Sequence, residues 1–199
     1  MSFDTKAASW DASERRQALA ENVAQAIKEE LAIEPSSRIL DFGAGTGLLT
    51  ERLAEKNHQV VACDTSAQML KKLRQKLPRA HCVVGDILAF ESEEPFDLIV
   101  SSMTLHHIQD TTALFAKLFH LLRPGGSLAI ADLSLEDGTF HDQGNDGVYH
   151  FGFEEESLCK QMERIGFADI RYRTVHTVRK DNGRVYDIFL LVATKPLSN

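Results

Sequence analysis

The segment Arg38-Ile39-Leu40-Asp41-Phe42-Gly43-Ala44-Gly45-Thr46-Gly47-Leu48-Leu49-Thr50 constrains this chain more than any other. An apolar, strand-like stretch runs through three closely spaced glycines into the start of a helix. Glycine lets the backbone turn sharply and lets a ligand approach the amides. In the dinucleotide fingerprint G-x-G-x-x-G the third glycine would fall at position 48, where this chain has Leu48, and Gly47 comes one place early. That departure argues against a pyrophosphate ligand. The next apolar stretch, Val60-Val61-Ala62-Cys63-Asp64, ends on a carboxylate at about the separation from which an acidic residue accepts hydrogen bonds from ribose hydroxyls, so a nucleoside is still implied.

Around this unit the pattern alternates. Residues 13–31 carry Leu19, Val23, Ile27 and Leu31 at helical spacing, with Pro35 beyond as a stop. Short β-branched or apolar runs follow at 38–42, 59–63, 81–84, 97–101 and 127–131, separated by helical stretches, which predicts a parallel sheet covered on both faces. Ser66 is a cap for a helix over 67–77 that Pro78 stops, and Asp110 for one over 111–122 that runs into an Arg123-Pro124-Gly125-Gly126 turn. Glu154, Glu155 and Glu156 open a last helix, with Gly166 at its C-terminal cap. Two strands at 170–178 and 185–194 leave no room for a crossover, and Asn182-Gly183 signals a hairpin. Ile188-Phe189-Leu190-Leu191-Val192 is apolar on both faces and belongs inside the sheet, antiparallel to its neighbours.

The 199 residues, 43% of them hydrophobic and 26% charged, suit one domain with a real core. We read 1–199 as a single unit, with 1–31 as an N-terminal cover and helix and 36–199 as the core. A net charge of −7, with no cluster of bases, repels a phosphate backbone and argues against nucleic acid as a partner. Cys63, Cys82 and Cys159 show no pairing pattern or zinc spacing, which predicts a reducing, cytoplasmic setting. No run is long or apolar enough for a signal peptide or a membrane span, so no membrane partner is expected.

In order and spacing these motifs resemble the class I S-adenosylmethionine-dependent methyltransferases. The match runs through Asp41-Phe42-Gly43-Ala44-Gly45-Thr46-Gly47, Asp64 with Ser66-Ala67-Gln68-Met69-Leu70, Gly85-Asp86-Ile87, Phe96-Asp97-Leu98-Ile99-Val100-Ser101 and Leu122-Arg123-Pro124-Gly125-Gly126. The resemblance implies a Rossmann-like α/β fold with a mixed seven-stranded sheet, its last strand antiparallel. It also implies S-adenosyl-L-methionine as cofactor, with S-adenosyl-L-homocysteine as product. Cofactor contacts are implied at Asp41, Gly43, Ala44, Gly45, Gly47, Asp64, Thr65, Met69, Asp86, Ile87 and Ser101. Asp64 would hold the ribose diol, Asp86 and Ile87 would meet the adenine edge, and Met69 would pack on the ring.

Leu105-His106-His107 resembles the corresponding segment of small-molecule methyltransferases, including those of quinone biosynthesis. It makes His106 and His107 the candidates to act as base or to orient an acceptor, and His150, a polar handle on the long loop that follows, is the third catalytic candidate. Neither the Asn/Asp-Pro-Pro-aromatic segment of amino-methylating nucleic-acid enzymes nor a Pro-Cys nucleophile is present. The long stretch 132–153 carries Phe140, Tyr149, Phe151 and Phe153 as candidate acceptor-lining residues, with Tyr149 and Phe151 singled out. Asp132, His141, Asp142 and His150 lack regular ligand spacing, so no metal is expected. Phe3-Asp4…Trp10-Asp11 resembles a lead that folds over the cofactor, with Trp10 against the ligand or, alternatively, packed on the first helix. The expected function is methyl transfer to a small-molecule acceptor. Methylation of a protein side chain, and a catalytically silent cofactor-binding protein acting through a partner, are the alternatives. The oligomeric state is open.

Overall fold

The computed structural model describes residues 3–54, 58–142, 144–181 and 183–197, without the side chains of Phe3 and Lys6. Asn182 of the expected hairpin turn and Gln143 of the long loop lie outside the described residues. Strands β1 (Arg38–Phe42), β2 (Gln59–Asp64), β3 (His81–Val84), β4 (Phe96–Ser102) and β5 (Leu122–Leu133) run parallel. Strand β7 (Val185–Thr194) enters in reverse between β5 and β6 (Ala168–Arg179), giving the order β3-β2-β1-β4-β5-β7-β6. The helices are α1 (Phe3–Lys6), α2 (Glu14–Glu30), α3 (Leu48–Leu53), α4 (Ala67–Lys76), α5 (Thr111–Leu121) and α6 (Glu155–Ile165).

Strand alternation divides the apolar side chains between two layers. Leu40 and Phe42 of β1, Leu128 and Ile130 of β5, and Phe189 and Leu191 of β7 pack with Leu114, Phe115 and Leu118 of α5 and Leu158 and Met162 of α6. Their neighbours Ile39, Ala129, Ala131, Ile188 and Leu190 face the other way, onto Val23 and Ile27 of α2 and Leu49 and Leu53 of α3. The central strands are therefore apolar on both faces, and β7 is buried as its sequence requires.

Helix starts follow local chemistry. Ser13, Ser66 and Asp110 each cap a helix by accepting a backbone N–H three residues on, from Arg16 (3.4 Å), Met69 (3.2 Å) and Ala113 (2.9 Å). Glu154 is itself the cap of α6, accepting from Ser157 at 2.8 Å, rather than a residue of its first turn. Gly166 closes α6 in the left-handed region at φ +113°.

One expectation is corrected. Arg123-Pro124-Gly125-Gly126 is not a turn ahead of the strand: β5 already begins at Leu122, paired with Phe96, and extends to Leu133. A β-carbon on Gly126 would stand 2.9–3.2 Å from the carbonyl oxygens of Arg123, Phe96 and Asp97. That glycine permits close backbone approach where the pairing register shifts between Phe96 and Leu98.

Candidate active site

The parallel strands end together at Phe42, Asp64, Val84, Ser102 and Leu133, and ligands of open α/β sheets bind at this carboxyl edge. The glycine turn after β1 is fastened to the end of β2, since the N–H groups of Gly43 and Ala44 both donate to the Cys63 carbonyl, at 2.8 and 3.2 Å. Gly43, Gly45 and Gly47 have φ of +65°, +54° and +83°, a region closed in practice to most side chains. Their surroundings differ. A β-carbon on Gly43 would overlap Thr104, and one on Gly47 would come within 2.7 Å of Leu73, whereas one on Gly45 meets nothing within 4 Å. Gly45 is thus the glycine whose side faces open space.

Asp64 joins the turn to the next helix. Its Oδ2 accepts the N–H of Gly45 and its Oδ1 that of Ser66, each at 2.8 Å. Burial pushes its carboxyl above the ordinary range and Asp4 adds to this, while the two N–H bonds pull it back. Asp41, buried beneath the turn, accepts from Thr50 Oγ1 at 2.5 Å. Burial, opposed by that hydrogen bond and reinforced by Asp64, pushes it up to about 7.

The remaining expected cofactor residues divide. Ala44 is buried and Thr65 is exposed. Asp86 is exposed, its Oδ1 accepting the Leu88 N–H at 2.9 Å, and Ile87 is buried beside it. A cleft of about 530 Å³ running along β2 and β3 reaches this edge at Gly85 and Asp86. Met69 is fully buried, so its side chain presents no open face. Ser101 is also fully buried, and its hydroxyl donates to the Phe42 carbonyl at 2.7 Å, bracing the end of β1.

The N-terminal residues lie over this edge. Asp4 accepts from Ser66 Oγ at 2.5 Å and from the Gln68 N–H at 3.3 Å. Asp11, in the 3-10 turn Ala7–Ala12, accepts from Thr46 Oγ1 and pairs with Lys76 at 3.0 Å. Trp10 is held from the side of α2: the Arg16 guanidinium lies 3.8 Å from its ring centroid and donates to its carbonyl at 3.3 Å.

Beyond the end of β4, Thr104 packs on Gly43 and leads into a 3-10 turn, Leu105–His107. His106 is buried, and its Nδ1 lies 2.6 Å from Oδ1 of the equally buried Asp132. That carboxylate also accepts the N–H groups of His106 (3.3 Å) and Leu133 (2.7 Å). His107 Nδ1 lies 2.7 Å from the Gly147 carbonyl. His150 is drawn off to the Ile108 carbonyl, 2.9 Å from its Nε2. His141 comes from the long loop to stand with its ring centroid 5.1 Å from His106 and 5.7 Å from His107. Burial and the neighbouring histidines push its imidazole down to about 4.

The loop aromatics separate by role. Phe140 packs edge-on against Tyr186, and Phe153 against Phe189, tacking the loop to the sheet. Tyr149 and Phe151 remain 55% and 44% exposed. Of the acids and histidines considered together in the sequence, Asp142 pairs with Lys180 at 2.7 Å and does not join the histidines.

A protein of Bacillus cereus (strain ATCC 10987 / NRS 248), described as an uncharacterized methyltransferase, is 30% identical over 160 residues, covering 79% of this chain and 74% of that one. The chain belongs to the class I S-adenosylmethionine-dependent methyltransferases. The methyltransferase domain family matches residues 39–126, from the first strand through Gly126. A second uncharacterized methyltransferase, from Geobacillus kaustophilus (strain HTA426), is 38% identical over 142 residues, which span 69% of this methyltransferase and 65% of the relative. Among solved structures, phosphoethanolamine N-methyltransferase 2 of Haemonchus contortus, in complex with phosphomonomethylethanolamine and S-adenosylhomocysteine, shares the fold. It aligns with a TM-score of 0.72 at 20% identity, over 88% of this chain and 52% of its own.

Several residues that shape the edge carry no local signal. Thr46, Thr104 and His141 act through contacts with segments far away in sequence. Lys180 is nearly buried at the hairpin end, donating to the Phe140 carbonyl and to Asp142. An isolated lysine before a turn reads as a solvated charge, and only the closing of the loop over the hairpin reveals its place.

Proposed function

We propose that this methyltransferase moves a methyl group from S-adenosyl-L-methionine to a small organic acceptor by in-line displacement, leaving S-adenosyl-L-homocysteine. The observation that carries this reading is Asp64 bridging the N–H groups of Gly45 and Ser66. The bridge holds the glycine turn and a carboxylate as one preformed surface, and each carboxylate oxygen keeps acceptor capacity for a ribose hydroxyl. The open side of Gly45 admits the sugar and methionine portion, and Asp86 and Ile87 at the end of β3 stand where the adenine edge would lie.

Bound there, the cofactor supplies an electrophilic methyl carbon on a sulfonium. The protein's part is orientation: an acceptor atom must stand about 3 Å from that carbon, on the side opposite the sulfur, with water excluded. Residues 3–12 supply the cover through Asp4 and Asp11. His106 and His107, in the 3-10 turn that follows Thr104, serve as acceptor-side groups, with Tyr149 and Phe151 as exposed aromatic surface on the long loop. Asp132 fixes the His106 ring, so its Nε2 is the nitrogen left to face a further group. Unpaired cysteines at 63, 82 and 159 agree with a cytoplasmic setting. Among the described residues no helix is long and apolar enough to cross a membrane.

Thermal shift tests the binding half of this reading. At 100 times its dissociation constant S-adenosylhomocysteine should stabilise the fold by about 2.7 kcal/mol, while NAD should do nothing. Transfer of labelled methyl from S-adenosylmethionine into the small-molecule fraction of a cell extract tests the other half. Label found only in protein would overturn the small-acceptor assignment.

A further inference from the structure

We propose that His106, His107 and His141 form a site for one divalent transition-metal ion of the zinc class. One ring nitrogen from each of the three lies within 4.8 Å of the others. Metal–nitrogen bonds of about 2.0–2.1 Å in a tetrahedral site place the donor atoms roughly 3.3 Å apart. Closing the set therefore requires a contraction of about 1.5 Å, which falls to His141 on its long connecting loop.

The surroundings are those of a ligand set. A metal-bound histidine ordinarily gives its other ring N–H to a carboxylate or a backbone carbonyl, which fixes the tautomer and strengthens the donor nitrogen. His106 has the buried Asp132 carboxylate 2.6 Å from Nδ1, and His107 has the Gly147 carbonyl 2.7 Å from Nδ1. In both, the proton belongs on Nδ1 and the lone pair on Nε2. A cluster serving packing alone would also satisfy its third member, yet Nδ1 of His141 is buried with no hydrogen-bond partner among the described residues. Three neutral imidazoles suit zinc, copper, iron or nickel and leave at least one coordination position open. The site stands two residues beyond Thr104, which packs on Gly43, and so belongs to the same sheet edge as the glycine turn. An ionisable acceptor taking the open position would release its proton to solvent and remain as a metal-bound anion. That last consequence rests on the methyltransferase reading, whereas the ion site does not.

The test uses the full chain, stripped with a chelator and titrated with Zn²⁺ against a chromophoric competitor, and with Co²⁺ followed by its visible absorption. The site predicts one equivalent of Zn²⁺ bound below ~1 μM and Co²⁺ bands of a four- or five-coordinate nitrogen environment. His141→Ala should lose at least ~100-fold in affinity and Asp132→Asn about 10–100-fold, while His120→Ala, on an exposed helical position, should lose nothing. The S-adenosylhomocysteine thermal shift of His141→Ala should persist, separating loss of the ion from failure of the cofactor reading. If His141→Ala does not fold, His107→Asn takes its place. Substoichiometric binding by the wild-type chain, or undiminished affinity in the folded variant, overturns the proposal.

Discussion

Thr50 Oγ1 donates to Asp41 Oδ2 at 2.5 Å beneath the glycine turn, a hydrogen bond that opposes the burial of this acid, whose carboxyl is nonetheless raised to about 7. Burial dominates, so the folded chain binds this proton more tightly than the unfolded chain, whose group titrates near 3.8. The stabilising contribution is complete below about pH 4 and is lost as pH rises towards 7, up to a limit of roughly 4 kcal/mol. Urea unfolding of the ligand-free protein should show this fall between about pH 4 and pH 7. Asp41→Asn, which keeps the acceptor for Thr50, should flatten it; an unchanged slope would mean that another group is responsible.

The three glycines of the turn should respond differently to alanine. Gly43→Ala and Gly47→Ala introduce both left-handed strain and a collision, with Thr104 and Leu73 respectively, and should each cost more than ~2 kcal/mol in chemical denaturation. Gly45→Ala carries only the backbone penalty, about 1 kcal/mol. Its new methyl points into open space, so its loss should appear in calorimetry as weakened S-adenosylhomocysteine binding. Equal stability losses at all three positions would contradict this division.

Asp11 ties the N-terminal segment to Thr46 and Lys76. Lys76 is partly exposed, but Thr46 is buried and its hydroxyl would lose its acceptor, so Asp11→Ala should cost about 1–3 kcal/mol of folding stability. If the segment covers the ligand, the same variant should weaken S-adenosylhomocysteine several-fold, mainly through faster release in stopped-flow experiments. Unchanged release would make the segment an ornament of the fold.

Much of the architecture was legible because it follows from local patterning. Strands β1 and β3 stand where the apolar runs placed them, Ser66 and Asp110 cap as their positions suggested, and the buried β7 follows from Ile188–Val192 being apolar on both faces. What was missed depends on contacts between distant segments. Pro124-Gly125-Gly126 reads as a turn in isolation, and only the carbonyls of Phe96 and Asp97 crowding Gly126 explain its place in a strand. Ser101, which the family resemblance implies as a cofactor contact, donates its hydroxyl to the Phe42 carbonyl, a bond between strands 59 residues apart that no local pattern announces. The four acids and histidines at 132–150 were considered as one set, whereas the fold sends Asp132 to His106, Asp142 to Lys180 and His150 to Ile108, and brings His141 to His106 and His107.

Asp132 also makes a stability prediction. Replacing it by alanine leaves His106 Nδ1 and two buried backbone N–H groups without their acceptor, a loss of about 3–5 kcal/mol by analogy with broken buried polar pairs. Urea denaturation of Asp132→Ala should lie well below that of Asp142→Ala, whose partner Lys180 keeps the Phe140 carbonyl.

The most direct measurement is isothermal titration calorimetry of the purified chain with S-adenosylhomocysteine, S-adenosylmethionine and NAD, repeated on Asp64→Ala. The account predicts one site for each of the first two ligands, no heat with NAD, and near-complete loss of binding in the folded variant. Binding of neither sulfur compound, or undiminished binding by Asp64→Ala, would contradict it.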